Sequence, residues 1–235
     1  NINVLNPDMN IKNLVVGLRN HPEGRICLYG PAGTGKTAFG NHIAEQLEKK
    51  LLVRRASDIL DKYVGESEKH VAKMFEQATK EEAVLLLDEA DSFLRDRKGA
   101  HQSWEVSQVN ELLTQMETFS GIFICSTNLM DSLDAASIRR FDLKIKLDYL
   151  KPEQLWTLFR QVVKEQGGRI TQQAKWKQQL SHYHNLTPGD FATIVRQNRL
   201  SSEKLGPAQL FEGLKNESEF KGGGNYRGIG FAANL

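Results

Sequence analysis

The sequence predicts an α/β protein, built as a doubly wound, five-stranded parallel sheet that is followed by a small all-helical domain. Three observations support this fold class. Short β-prone runs alternate with amphipathic helical patterns through the first 150 residues. One of these runs, AVLLLD at 83–88, is apolar almost throughout, which is typical of a strand buried on both faces of a parallel sheet. After Leu150 the β signal stops and only helical patterns follow.

The predicted sheet elements are short and alternate regularly with helices. The five strands cover 25–29, 51–55, 83–88, 121–127 and 143–147. The helices between them are predicted from apolar residues spaced three and four apart, and they cover 37–49, a segment around 71–78, and 103–119. Because helices connect successive strands, we expect a parallel sheet that is covered on both faces.

The rest of the chain is predicted to be helical, with helices over 151–167, 171–183, 188–200 and 207–216. Thr187 is the expected N-cap of the third of these helices, because Asp190 follows three residues later as in a capping box. We therefore predict a sheet domain over 1–150, a helical domain over 151–216 and a glycine-rich tail over 217–235.

Composition narrows the classes of function. A net charge of +2 makes nucleic acid an unlikely partner, and no apolar run approaches the ~20 residues that cross a bilayer. Cys27 and Cys125 lie in apolar strand-like runs, so we expect small core residues rather than a disulfide. This favours a reducing, cytoplasmic location. The chain begins at Asn1 rather than Met, and we expect it to be part of a longer protein.

The strongest motif is GPAGTGKT at 30–37, which fits G-x-x-x-x-G-K-[ST] between a predicted strand and a predicted helix. Such a loop turns backbone N–H groups towards a phosphate chain, and the helix N-terminus adds partial positive charge. Lys36 is expected to reach the β- and γ-phosphates and Thr37 to ligate Mg²⁺. The expected nucleotide contacts are Pro31, Ala32, Gly33, Thr34, Gly35, Lys36, Thr37 and Ala38.

Two adjacent carboxylates end the most apolar strand. Asp88 is expected to hold Mg²⁺ opposite Thr37, and Glu89 to activate the attacking water. The letters D-E-A-D also occur in RNA helicases of the DEAD-box type. Those proteins need a second α/β domain to complete their site, whereas only helical sequence remains here. No N-K-x-D motif for guanine is present either, so the residues favour an ATPase.

Four motifs in order, GPAGTGKT, VLLLDEAD, STN at 126–128 and DAASIRRFD at 134–142, resemble those of the AAA+ ATPases over about residues 25–200. The resemblance implies a P-loop sheet domain with a helical lid. It also implies that Asn128 positions the attacking water, and that Arg139 or Arg140 reaches into the site of a neighbouring subunit. The family segment is usually longer, RPGRFD-like, so both arginines remain candidates.

The resemblance extends to the substrate. In LDKYVGESEK at 60–69, Tyr63 and Val64 occupy the place of the central-pore loop of hexameric translocases, where they would grip a polypeptide. The alternative is a loop whose Tyr63 packs on its own domain. In the lid, the family arginine that touches the γ-phosphate is replaced by TPGDF, and Gly189 is the candidate nucleotide contact.

The expected function is therefore Mg²⁺-dependent ATP hydrolysis by a module that remodels or translocates protein, assembled as a homo-hexamer. Two alternatives from other classes stay open at this point. One is an ATP-dependent switch that controls a partner without translocating it. The other is a nucleic-acid motor or loader, which the near-neutral charge disfavours.

Overall fold

A computed structural model describes residues 4–59, 65–91, 103–129, 135–201 and 205–222. By its contacts the chain forms two compact units, Asn1–Asp148 and Tyr149–Leu235. Each unit has its own core and is described by itself.

The first unit is organised around a five-stranded sheet. The strands are β1 (Gly24–Tyr29), β2 (Leu51–Arg55), β3 (Val84–Asp88), β4 (Ile122–Thr127) and β5 (Leu143–Lys146). They lie in the order β2-β3-β4-β1-β5, and every neighbouring pair is parallel. The predicted five-stranded parallel sheet is thus confirmed. Tyr29 pairs with Thr127 and Arg55 with Asp88, so the carboxyl ends of the central strands meet at one edge of the sheet.

The helices of this unit are α1 (Ile11–Asn20), α2 (Lys36–Gln46), α3 (Ala56–Ile59), α4 (Glu66–Lys80), α5 (Ser103–Thr118) and α6 (Ala135–Ile138). The alternation of side chains along β3 divides the core in two. Val84 and Leu86 belong to an apolar cluster with residues of α1 and α2, whereas Leu85 and Leu87 belong to a cluster with residues of α4 and α5. Both faces of the sheet are therefore covered.

Helix α1 is absent from the prediction, although the sequence carries a signal for it. The side chain of Asn10 accepts hydrogen bonds from the N–H groups of Lys12 and Asn13, at 3.0 and 3.3 Å, and so caps the helix. Its buried face consists of Leu14, Val15 and Leu18. An asparagine cap followed by apolar residues at helical spacing would have predicted this element.

The second unit contains α7 (Pro152–Glu165), α8 (Gln173–Leu180), α9 (Pro188–Ser201) and α10 (Pro207–Lys221). Helix α8 is shorter than the predicted 171–183. Helix α10 continues to Lys221 instead of ending at Asn216, so the first residues of the expected tail are helical. The extension makes tertiary contacts: Ser218 is buried, and Nζ of Lys221 lies 2.6 Å from Oδ2 of Asp190.

The predicted cap at Thr187 is confirmed. Helix α9 begins at the next residue, and the Asp190 carboxylate accepts a hydrogen bond from the N–H of Thr187 at 2.7 Å.

Within the residues described, no helix is both long and apolar enough to cross a bilayer.

Candidate nucleotide site

The GPAGTGKT loop connects β1 to α2 in a conformation that depends on glycine. Gly30, Gly33 and Gly35 have φ values of 136°, 78° and 93°, which side chains of L-residues rarely adopt. A Cβ on Gly30 would overlap the carbonyl oxygen of Leu147, and one on Gly35 would approach the Leu5 side chain to 2.5 Å. The spacing of these glycines therefore reflects both backbone conformation and close packing.

Lys36 is the first residue of α2 and is largely buried, with an exposed fraction of 7%. Its Nζ donates hydrogen bonds to the carbonyl oxygens of Gly30 and Pro31, at 2.8 and 3.0 Å. Burial lowers the pKa of Lys36, while the nearby carboxylates of Asp88 and Asp91 act in the opposite direction. These hydrogen bonds hold the ammonium group against the first two residues of the loop.

The rest of the loop divides into a fixed and an open part. Oγ1 of Thr34, which is 1% exposed, donates a hydrogen bond to the carbonyl oxygen of Pro31 at 2.9 Å. Ala32, Gly33 and Ala38 are exposed. Pro31 and Thr34 thus brace the turn from inside, and the exposed residues leave its outer surface open to a ligand.

Thr37 and Asp88 come together although 51 residues separate them, because Oγ1 of Thr37 donates to Oδ2 of Asp88 at 2.7 Å. A hydroxyl and a carboxylate are hard oxygen donors of the kind that Mg²⁺ prefers. In the described ranges no group of three or more His, Cys, Asp or Glu side chains is placed to hold a metal ion. The pair therefore fits a cation that takes its other ligands from phosphate oxygens and water.

Glu89 follows Asp88 in an unusual backbone conformation, with φ at +57° and an exposed side chain. A left-handed conformation at a residue other than glycine costs roughly 1–2 kcal/mol and is common at functional sites. The turn is held by backbone contacts: the N–H of Glu89 donates to Oδ1 of Asp88 at 3.1 Å, and that of Ala90 to the carbonyl oxygen of Ser126 at 3.0 Å.

The end of β4 contributes residues that the sequence analysis did not select. The Ser126 hydroxyl donates to Asp88, and the Thr127 hydroxyl donates to Asp91. Asn128 follows them and is exposed. Hydroxyl residues at the end of a strand beside an acidic strand end could have indicated these contacts, since adjacent parallel strands end at the same edge of the sheet.

The arginine segment lies between α6 and β5 and is anchored on both sides. Phe141 is 2% exposed and stacks on Phe123. Asp142 accepts hydrogen bonds from the backbone N–H and Nε of Arg25, at 2.9 and 3.0 Å. Arg139 and Arg140, which precede this anchor, are both exposed. The buried Phe141 and the bound Asp142 thus fix the backbone that carries the two exposed arginines.

The two arginines differ in their contacts. Nε of Arg140 forms an ion pair with Oε1 of Glu117 on α5, at 2.7 Å. Within the part of the chain that the structure describes, no carboxylate lies within ion-pair distance of Arg139. This asymmetry separates two residues that the sequence could not distinguish.

Two further predictions concern other regions. Tyr63 and Val64 lie outside the described residues. Gly189 is half-buried in the second unit, as the second residue of α9. Its proposed contact with a nucleotide stays a prediction.

Comparison with known proteins identifies the family. Residues 26–149, more than half of the chain, match the model of the ATPase family associated with various cellular activities, AAA. The chain belongs to this family of ATPases. The matched region begins in β1 and includes the phosphate loop, the ends of β3 and β4, and the arginine segment.

Similar proteins include the 26S proteasome subunit RPT4 of Saccharomyces cerevisiae, which is 35% identical over 142 residues that make up 56% of this chain and 32% of the relative. The ribosome biogenesis ATPase RIX7 of the same yeast is 26% identical over 190 residues, 77% of this chain and 23% of the relative. The chain thus spans about a quarter to a third of the length of these relatives.

The fold is shared with a solved structure. The crystal structure of the FIGL-1 AAA domain in complex with ADP superimposes with a TM-score of 0.65 at 23% sequence identity. The match covers 87% of this chain and 75% of that one. At this level of identity the likeness supports the fold alone.

Proposed function

We propose that this AAA module binds ATP at the GPAGTGKT loop and hydrolyses it. The observation that carries the proposal is the meeting of Lys36, Thr37 and Asp88 at the carboxyl ends of β1 and β3, with Thr37 and Asp88 in direct contact at 2.7 Å. A buried ammonium group and a hydroxyl at the start of α2, beside a carboxylate at the end of β3, are what a nucleoside triphosphate with its cation requires.

Each residue has a separate role in this proposal. Backbone N–H groups of 31–38 and the ammonium group of Lys36 hold the phosphates, while Thr37 and Asp88 hold Mg²⁺. Bound Mg²⁺ would neutralise charge on the transferred phosphoryl group. The Glu89 carboxylate accepts a proton from a water molecule whose oxygen forms the new bond to the γ-phosphorus, as the bond to the β–γ bridging oxygen breaks. Asn128 orients that water.

The proposal extends to assembly and substrate. Arg139 and Arg140 are exposed and lie on an anchored segment, which suits residues that act on the site of a neighbouring copy in a ring of six. The helical unit corresponds to the lid that the family resemblance implies, and Gly189 stays its candidate nucleotide contact. Tyr63 and Val64 would grip a protein substrate in the central pore, so the work performed is the remodelling or translocation of protein. The relative named as a 26S proteasome subunit favours this over a nucleic-acid motor.

The decisive experiment separates binding from hydrolysis. Lys36→Ala removes the charge that faces the phosphates, so ATP affinity is lost. Glu89→Gln keeps the shape of the side chain but removes a strong proton acceptor, so binding persists while turnover falls by about 10²–10⁴-fold. Binding of a fluorescent ATP analogue and release of phosphate are measured for both variants.

Glu45→Gln on α2 is a matched control, because Glu45 is an exposed glutamate outside the site. It should behave as the wild type in both assays. If Lys36→Ala and Glu89→Gln behave alike in the nucleotide-binding assay, the proposed division of roles is wrong.

A further inference from the structure

The end of β4 presents three consecutive polar residues, two of which bind acidic side chains at or just after the end of β3. The Ser126 hydroxyl donates to Asp88, and the Thr127 hydroxyl donates to Asp91. The same oxygen of Asp91, Oδ1, accepts a second hydrogen bond from the backbone N–H of Asn128 at 3.2 Å. Asp91 therefore binds both the last residue of the strand and the residue after it.

These contacts begin where the sheet pairing stops. The last register pair of β4 with β1 is Thr127 with Tyr29, so Asn128 lies beyond the ladder. Its N–H is bound by Asp91, and the N–H of Leu129 donates to Oγ1 of Thr127 at 3.0 Å. The side chains of Asp91 and Thr127 thus continue the hydrogen bonding that the neighbouring strand no longer provides.

The arrangement leaves Thr127 little freedom. Its side chain is fully buried, and its hydroxyl donates to Asp91 while accepting from Leu129. Hydrogen bonds to a carboxylate are stronger than those between neutral groups. When one partner is removed, the buried group that remains without a hydrogen bond costs free energy of folding. Asn128 itself is exposed, so the hydrogen bond of its backbone N–H, and not packing of its side chain, sets the position of its Cα atom.

We propose that Asp91 is a positioning residue for ATP hydrolysis, which holds the backbone at Asn128 through the Thr127 hydroxyl and the Asn128 N–H. The inference rests on the proposed role of Asn128 in orienting the attacking water. Asp88 and Asp91 then have different tasks: Asp88 faces Thr37 of the phosphate loop, and Asp91 fixes the end of the neighbouring strand.

The kinetic test uses Asp91→Ala in the full chain. Displacement of a catalytic group by about 1 Å costs on the order of 10²-fold in rate, so kcat should fall by that factor while KM for ATP stays within about twofold. If Asp91 acts through Asn128, the double variant with Asn128→Ala is no slower than Asn128→Ala alone. Asp91→Asn keeps an oxygen that accepts both hydrogen bonds, so it should recover most of the rate.

A second pair of variants changes the other partner. Thr127→Val removes the hydroxyl with little change of shape and should slow turnover as Asp91→Ala does. Thr127→Ser retains the hydroxyl and is the matched control that recovers turnover. This pair decides the question even if Asp91→Ala fails to fold.

Amide hydrogen exchange gives a readout that does not depend on activity. In Asp91→Ala the amides of Asn128 and Leu129 should exchange at least about tenfold faster, because their hydrogen-bond partners are lost or released. The amide of Cys125, inside the ladder, should be unchanged. Unchanged exchange at Asn128 would overturn the inference.

The outcomes separate the two proposals. If Asn128→Ala leaves kcat unchanged, the proposed role of Asn128 is wrong, and exchange alone decides whether Asp91 fixes the strand end. If Asn128→Ala slows turnover but Asp91→Ala does not, or if the two effects multiply in the double variant, Asp91 does not act through Asn128 and the inference fails.

Discussion

Two regions of the molecule are rich in charged and polar groups: the phosphate loop with its adjacent strand ends, and the arginine segment. They differ in how far these groups are bound by other groups of the same chain. In the first region Lys36, Thr37 and Asp88 form hydrogen bonds within the chain. In the second, Phe141 and Asp142 anchor the backbone while the arginines before them face solvent. The first region is therefore held by contacts among its own functional groups. In the second region Arg140 binds Glu117, and Arg139 has no ion-pair partner among the described residues.

The largest expected effect comes from the arginine segment. Replacing both Arg139 and Arg140 by Ala should lower kcat by about 10³–10⁵-fold, because such residues stabilise charge that develops in the transition state. ATP affinity should change little. Mixing this variant with Glu89→Gln should restore some hydrolysis, since mixed rings contain interfaces between an intact Glu89 site and intact arginines. Steady-state turnover of each protein and of the mixture is the measurement.

Single variants sharpen the comparison. Arg139→Ala should cost more than Arg140→Ala, because Arg140 is bound to Glu117 of its own chain at 2.7 Å. Arg196→Ala, an exposed arginine on α9, is the matched control and should leave turnover unchanged. If hetero-assembly is demonstrated and mixing restores nothing, the arginines act within their own chain or only on its structure.

A smaller effect is expected on stability, at the strained residue of the first region. Glu89→Gly removes the cost of a left-handed backbone at φ +57° and should raise the melting temperature by about 2–4 °C, corresponding to about 1 kcal/mol. Hydrolysis should be lost in the same variant. Differential scanning fluorimetry and phosphate release are the two measurements.

Two other glutamates provide matched controls for this substitution. Glu48 and Glu82 have φ values of 56° and 49° and lie in turns away from the site. Glu48→Gly and Glu82→Gly should be stabilised to a similar degree with hydrolysis intact. A Glu89→Gly protein that melts below the wild type would show that the Glu89 side chain stabilises the fold. The prediction that this residue costs stability would then be wrong.

The last prediction concerns the two buried thiols in the strands beneath the site. Burial raises the pKa of Cys27 to about 12 and that of Cys125 well above its usual value. At pH 8 both thiols should be protonated and react with a thiol reagent at least about 100-fold more slowly in the native chain than in denaturant, where ionisation near pH 8.5 applies.

The raised pKa values of Cys27 and Cys125 also predict how the stability of the protein depends on pH. The unfolded thiols ionise first, so the free energy of unfolding should decline as the pH rises above about 8.5, and less so in a variant with Ala at both positions. In the labelling experiment, rapid reaction of Cys27 or Cys125 in the native chain would contradict the burial of both side chains beneath the phosphate loop.

Local sequence pattern determined much of this protein. The five strands follow from short apolar runs, and the phosphate loop from glycines spaced for positive φ values. The family resemblance rests on four motifs in order, and the comparison with known proteins confirms it. For the strands and the loop the physical cause lies within a few consecutive residues, so local spacing carries the information.

Only the tertiary structure decided which distant groups meet. Strand order brings Thr127 to Asp91 and Ser126 to Asp88, although no local pattern pairs them. The last helix extends to Lys221, whose ammonium group binds Asp190, 31 residues earlier in the chain. Arg139 and Arg140 are equivalent in the sequence and differ only because α5 places Glu117 beside the second of them. Hydrogen bonds and ion pairs between distant segments depend on packing in three dimensions, which single-sequence periodicity does not encode.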